Sequence, residues 1–331
     1  MASATVVAPA AAASATTASC QTLPTALGYT EYSGGPVNET HGDSDGPTAF
    51  GGTATLGNFA ISENQALLPA SNTGYVQDGA VNGGGTTAVH FGNGYYDSTL
   101  SGVSVQNGYT LNAVSQSNLP ISFSSATAQA ASFSAQLAAL STSPGDLFGT
   151  SGTTLTLTST QTETNGEYVW DLTSGELAPL SAIKVVGVPA GGTVVINVPD
   201  TGSLSLDVAV TLDGSAASST TTQPPLAPTT VFNFTNVTTL TLSNGDWAGE
   251  LLAPGAAFTF SNSHLWGGLV AGVSLTGTME STYGPLSTLC IPAPGGQLPE
   301  GKPLLFGAGG LLAAGVFVTL RRRSAHRTQA A

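Results

Sequence analysis

Apolar and small polar residues alternate in short runs along most of this chain, and the runs break at turn residues. Between Val231 and Pro285 the apolar positions come as Val231, Phe232 and Phe234, then Leu240 and Leu242, Leu251 and Leu252, Phe258 and Phe260, and finally Leu265, Leu269, Val270, Val273 and Leu275. Asn-Gly, Pro-Gly, Gly-Gly and Gly-Thr separate them, which is the chemistry of tight turns. The stretch also echoes itself. Thr241-Leu242-Ser243-Asn244 precedes Trp247, Thr259-Phe260-Ser261-Asn262 precedes Trp266, and the two tryptophans are 19 positions apart. A repeat of that length is too short to be a domain. It predicts a coil stacked on a near-copy of itself, a mainly β protein built as a β-solenoid (parallel β-helix) whose ends need covering.

The rest of the chain fits that pattern. Phe50, Ala54 and Leu56 alternate with Gly51, Thr53 and Thr55, and Val81-Asn82-Gly83-Gly84-Gly85 leads into Ala88-Val89-His90-Phe91. Strands this short suit coils better than a wide sandwich. Residues 153–164 form a strand with Leu155 and Leu157 on one face and threonines on the other, and further strands follow at 185–198 and 204–212. One segment has a different period. In residues 124–141 the apolar positions are Ala126, Ala130, Phe133, Leu137 and Leu140, a single helical stripe stopped by Pro144-Gly145. A helix of that span is about 25 Å long, enough to lie across about five strand spacings along the side of the solenoid.

Composition sharpens this picture. Gly at 42, Pro at 19 and 8% charged residues resemble neither a charged disordered chain nor an ordinary enzyme, and 41% hydrophobic content is enough for a core. All 19 acids lie at or before Glu300, and Lys184 is the single base in that span. A body so acidic cannot neutralise phosphates, so nucleic acid is excluded as a partner. The other bases are Lys302, Arg321, Arg322, Arg323 and Arg327. They flank the uncharged run Leu304 to Leu320, which predicts a transmembrane helix with a cytoplasmic C-terminus and everything before Lys302 outside. The expected organisation is therefore an Ala-rich leader or signal-peptide remnant (1–19), a solenoid domain (20–290), a Pro/Gly stalk (291–303), a membrane anchor (304–320) and a basic tail (321–331). Cys20 and Cys290 are the only cysteines, and outside the cell they are candidates for a disulfide joining the ends of the domain.

Several blocks resemble the choice-of-anchor A family of bacterial surface proteins. They are Ser44-Asp45-Gly46-Pro47-Thr48-Ala49-Phe50-Gly51-Gly52-Thr53-Ala54-Thr55-Leu56, Val81-Asn82-Gly83-Gly84, Thr193-Val194-Val195-Ile196-Asn197-Val198, and the run from Val231 through Trp247-Ala248-Gly249-Glu250-Leu251-Leu252-Ala253-Pro254-Gly255-Ala256 to Gly267-Gly268-Leu269-Val270-Ala271. The resemblance covers roughly residues 22–286. It implies a β-helical adhesive domain with a helix beside it, ahead of one of several anchors, some members being labelled collagen-binding. The architecture is also similar to ice-binding β-solenoids. A sortase signal would read Leu-Pro-x-Thr-Gly, whereas this chain has Leu298-Pro299-Glu300-Gly301 and lacks the Thr that carries the scissile carbonyl.

Candidate chemistry is sparse. Asp43 and Asp45, beside His41, could offer carboxylates to Ca²⁺, but two are few for a hard cation, so no cofactor is expected. His41, His90 and His264 lack a nucleophile-elbow motif around any serine. Asp246 and Glu250 flank Trp247, which suits a carboxylate pair around a sugar platform. A lyase would need bases that the body lacks. Threonine rows at Thr154/Thr156/Thr158 and Thr239/Thr241 suit a face that orders water. The sequence thus predicts a non-enzymatic, surface-held adhesin-like protein binding an extracellular protein or glycan, with an ice-binding solenoid and a carbohydrate-active enzyme as the alternatives.

Overall fold

The computed structural model describes residues 22–289 apart from 144–146, 161, 163–165, 217–223, 283–285 and 287–288. The expected leader, Cys20, Cys290, the Leu298–Gly301 motif, the apolar run 304–320 and Arg321–Arg323 lie outside the described residues. Among those described, no helix is long and apolar enough to cross a membrane.

The short alternating runs become rungs of a coil with three faces. The first face is a ten-stranded sheet in the order Leu111–Ala113, Asn93–Tyr96, Thr73–Gln77, Thr48–Phe50, Glu31–Ser33, Leu269–Ala271, Glu250–Ala253, Thr230–Asn233, Thr193–Asn197, Glu167–Asp171. Every neighbouring pair in it is parallel. The order shows how the chain travels. It starts mid-solenoid at Glu31–Ser33 and builds rungs towards one end. It then crosses back, restarts at Glu167–Asp171, and grows until its last coil pairs with its first at Leu269–Ala271. The solenoid is therefore two half-stacks joined at a seam.

The other two faces share a sheet that turns a corner. The strand Ser274–Thr282 pairs through Leu275–Gly277 with Val37–Glu39 on one face and through Glu280 and Ser281 with Asp43 and Ser44 on the next. Corner residues have the left-handed backbone that Asn and Gly tolerate best. His41, Asn58, Asn244 and Asn262 have φ of 61°, 52°, 50° and 54°. The Asn262 amide donates to Asn244 at 3.5 Å across adjacent rungs. The Thr-Leu-Ser-Asn echo is thus a true repeat, with Thr241 opposite Thr259 and Ser243 opposite Ser261. The coil period here is 18 residues, not the 19 suggested by the tryptophans: Trp247 lies opposite Leu265, and Trp266 opposite Ala248.

The helix, Phe123–Ala138, buries Ala126, Ala130, Phe133 and Leu137 of the expected stripe together with Phe123, while Leu140 lies past its end and is half-buried. It lies on the outer side of the ten-stranded sheet, against Tyr32, Val195, Val231, Leu252 and Val270. This explains why Thr193–Asn197 is buried at every position and reads as an unbroken apolar run: one side meets the core and the other the helix. Polar contacts pin the helix along its length. Tyr32 Oη donates to the Phe123 carbonyl at 2.9 Å, Asn233 Nδ2 to the Ser134 carbonyl at 2.8 Å, and Asn197 Nδ2 to the Leu137 carbonyl at 3.0 Å. The last of these adds to the bond that the Leu137 carbonyl, in the final turn, accepts from the Leu140 N–H at 3.1 Å.

Candidate functional site: an uncharged hydroxyl and amide face

On the second face each rung places an apolar residue, buried except for the half-buried Leu100, just before a small polar one, exposed except for the half-buried Thr241. The pairs are Leu204-Ser205, Leu240-Thr241, Phe258-Thr259, Leu275-Thr276, Val37-Asn38, Ala54-Thr55, Val81-Asn82 and Leu100-Ser101. Parallel pairing in register stacks the polar members into one column, Ser205–Thr241–Thr259–Thr276–Asn38–Thr55–Asn82–Ser101. Seven strand spacings make this column about 34 Å long. A second column, Ser203–Thr239–Ala257–Ser274, runs beside it over one half-stack. The column crosses the seam between Thr276 and Asn38, so both halves of the chain contribute to one surface. Its members are hydroxyls and amides without a charge or an aromatic ring. Next to Thr276, Gly277 has φ of 136°, and a Cβ there would lie 2.0 Å from the Phe260 carbonyl oxygen, so the adjacent rungs approach closely only because the residue is glycine.

The charge sits around the corner. On the third face the corresponding column reads Asp246–His264–Glu280–Asp43–Ala60–Ala88–Ser104. His264 Nε2 is 2.6 Å from Thr282 Oγ1 and 3.8 Å from Glu280. Asp43 is pushed up to about 7 by burial first, then by the neighbouring carboxyls of Glu280, Glu63 and Asp45.

No set of three or more His, Cys, Asp or Glu among the described residues is placed to hold a metal ion; Asp43 faces other acids. The three histidines do not converge. His41 occupies a corner beside Asn58, His90 pairs with Glu63 at 3.7 Å, and His264 lies on the third face. The sugar platform is not formed, because Trp247 is 1% exposed and packs edge-on against Phe232 inside the core, with ring centroids 5.0 Å apart. Glu250 is equally buried and belongs to the ten-stranded sheet, away from Asp246. The two threonine rows are on different surfaces. Thr239 and Thr241 belong to the uncharged face. Thr154, Thr156 and Thr158 lie in a separate five-stranded sheet, with Thr156 opposite Lys184 and an antiparallel partner at Leu147–Ser151. Sequence reading missed Asn38, Thr55, Asn82, Ser101, Ser205 and Thr276 as members of this face, and marked Thr259 only as part of the Thr-Leu-Ser-Asn echo. The available signal was the recurring apolar-then-small-polar pair, which a search for threonine runs does not see.

A family model described as "Putative Ice-binding-like adhesive domain" matches residues 22–283. The chain belongs to this family. The match supports an adhesive, ice-binding-like domain and says nothing about an anchor. Among solved structures, an ice-binding protein from an Antarctic biological consortium is 15% identical with a TM-score of 0.42, covering 86% of this chain and 96% of that one. One from the ascomycete Antarctomyces psychrotrophicus is 12% identical with a TM-score of 0.39, over 78% and 96%. A domain of a Shewanella frigidimarina ice-binding protein is 12% identical with a TM-score of 0.37, over 81% and 99%. Likeness at this distance carries no argument about a ligand. No curated protein matches the sequence.

Proposed function

We propose that this domain binds ice, or water ordered at a solid surface, through the Ser205-to-Ser101 column, and that it acts outside the cell. The observation that carries the reading is the in-register stack of small hydroxyls and amides over eight rungs. A macromolecular partner is usually held by a few aromatic or arginine anchors in desolvated pockets, and a sugar by an aromatic platform. This face offers neither. It repeats one modest hydrogen-bonding group at a fixed spacing, which suits a ligand that is itself periodic. The family description favours ice-binding and adhesion together, so attachment to ice is a more specific form of the adhesive reading than collagen or glycan binding.

The test is thermal hysteresis and crystal shaping by the purified chain. We expect both in the wild type, and a loss of roughly tenfold or more when Thr259→Tyr sets a ring in the middle of the column. Absence of hysteresis together with saturable binding to collagen or a glycan array would replace this reading with the broader adhesive one. Sugar release from a polysaccharide would replace both.

A further inference from the structure

Two acids are buried side by side in the solenoid core at the seam. There Glu31 from the first face and Glu39 from the second both point inwards from the first coil, at 0% and 1% exposure. Their register neighbours are core positions: Leu269 and Thr48 beside Glu31, Leu56 and Gly277 beside Glu39. The last coil reaches in with Ser281, whose hydroxyl donates to Glu31 Oε1. Among the described residues, neither glutamate faces a cation. Lys184, the one base in the body, is exposed in a strand of the five-stranded sheet. With both groups ionised, neither oxygen of Glu39 has a donor, and two unpaired charges in this core would be prohibitively costly. A proton on Glu39 turns its contact with Glu31 into a hydrogen bond.

We propose that Glu39, Glu31 and Ser281 form a protonated latch across the seam, so that acid strengthens and alkali weakens the join between the two half-stacks. Burial is the main reason the proton is retained. It pushes Glu31 up to about 8, with hydrogen bonds from Ser281 and Glu39 pulling the other way and Asp43 adding to the rise. It also holds Glu39 well above the ordinary carboxylate range, with Glu31 adding to the effect. The flanking strands Thr48–Phe50, Leu269–Ala271 and Ala54–Gly57 bring no titratable side chain to the pair. Asp43 approaches from the third face, where it meets Glu280, Glu63 and Asp45, and Glu280 meets His264. Since the folded state keeps protons that the unfolded chain releases near 4.5, the latch contributes fully below that pH and is lost as pH rises through about 8. The binding column crosses the same seam, so loosening the latch would break the column between Thr276 and Asn38. The latch itself does not depend on what the column binds.

The test is the melting temperature of the full chain against pH, with hydrogen exchange at the seam. For the wild type we expect Tm to fall by about 5 °C or more between about pH 5.5 and 8.5. Over that range, exchange should rise first in residues 31–40 and 269–282. Glu39→Gln keeps a donor to Glu31 without a proton to lose, and should remove at least half of that fall and the local rise in exchange. Ser281→Ala should leave the pH slope and lower Tm throughout, giving a folded control. An unchanged slope in Glu39→Gln, or recovery of wild-type stability at pH 8.5 on adding Ca²⁺ or Na⁺, would overturn the proposal; the second result would make the pair a cation site.

Discussion

Buried amides show most sharply how single residues hold this fold. Asn233 is wholly buried. Its Nδ2 donates its two hydrogens to the Ser134 carbonyl at 2.8 Å and to Asn197 Oδ1 at 2.9 Å, while its Oδ1 accepts from Ser134 Oγ at 2.5 Å. One side chain thus joins a rung, the next rung and the helix. Asn233→Ala leaves the Asn197 oxygen and the Ser134 groups short of partners, and should cost about 1–3 kcal/mol by denaturant unfolding; a change within a few tenths would contradict this role. Nothing near Val231-Phe232-Asn233-Phe234 in sequence marks that asparagine, because its partners lie 36 and 99 positions away. Trp247 was misleading for the opposite reason. Its flanking acids suggested a sugar site, but alternation along the strand turns Asp246 out and Trp247 in.

Among the elements, the helix was legible because period 3.6 stands out in a chain otherwise written in period 2. Its expected span of 124–141 and the observed Phe123–Ala138 differ only at the ends. What the pattern could not show is its partner. The outward residues of the ten-stranded sheet are themselves apolar, so the strands read as continuous runs rather than as two-faced ones. Phe133→Ala would open space between the helix and that sheet, and should destabilise by about 3–5 kcal/mol. A value below about 1 kcal/mol would mean the helix is not fastened there. The rungs of the second face were half legible. Thr241 and Thr259 stood out through the Thr-Leu-Ser-Asn echo, while Thr55 and Asn82 were read only as parts of strands and turns and Asn38 was not singled out. Their common role depends on register, and register is fixed by hydrogen bonds between segments far apart in sequence.

For the whole molecule, the decisive feature is that the first coil of the described residues lies in the middle of the stack. The alternating runs predict a solenoid without fixing the order in which its rungs stack. The structure places Leu269–Ala271 against Glu31–Ser33 and uses the helix to return between the half-stacks. No local pattern encodes this, although Glu31 and Glu39 mark the join by being acids where every other coil has a small or apolar residue. The consequence is one continuous uncharged face about 34 Å long, with the acids turned to its neighbour. The claim that this face, and not the other threonine row, does the binding is tested most directly by labelled protein on a single ice crystal. Thr276→Tyr lies beside the seam on the uncharged face, and Thr156→Tyr lies in the five-stranded sheet. The account predicts that the wild type and Thr156→Tyr coat the ice while Thr276→Tyr, folded and equally stable, stays in solution. Equal coating by all three, or loss in Thr156→Tyr alone, would contradict it.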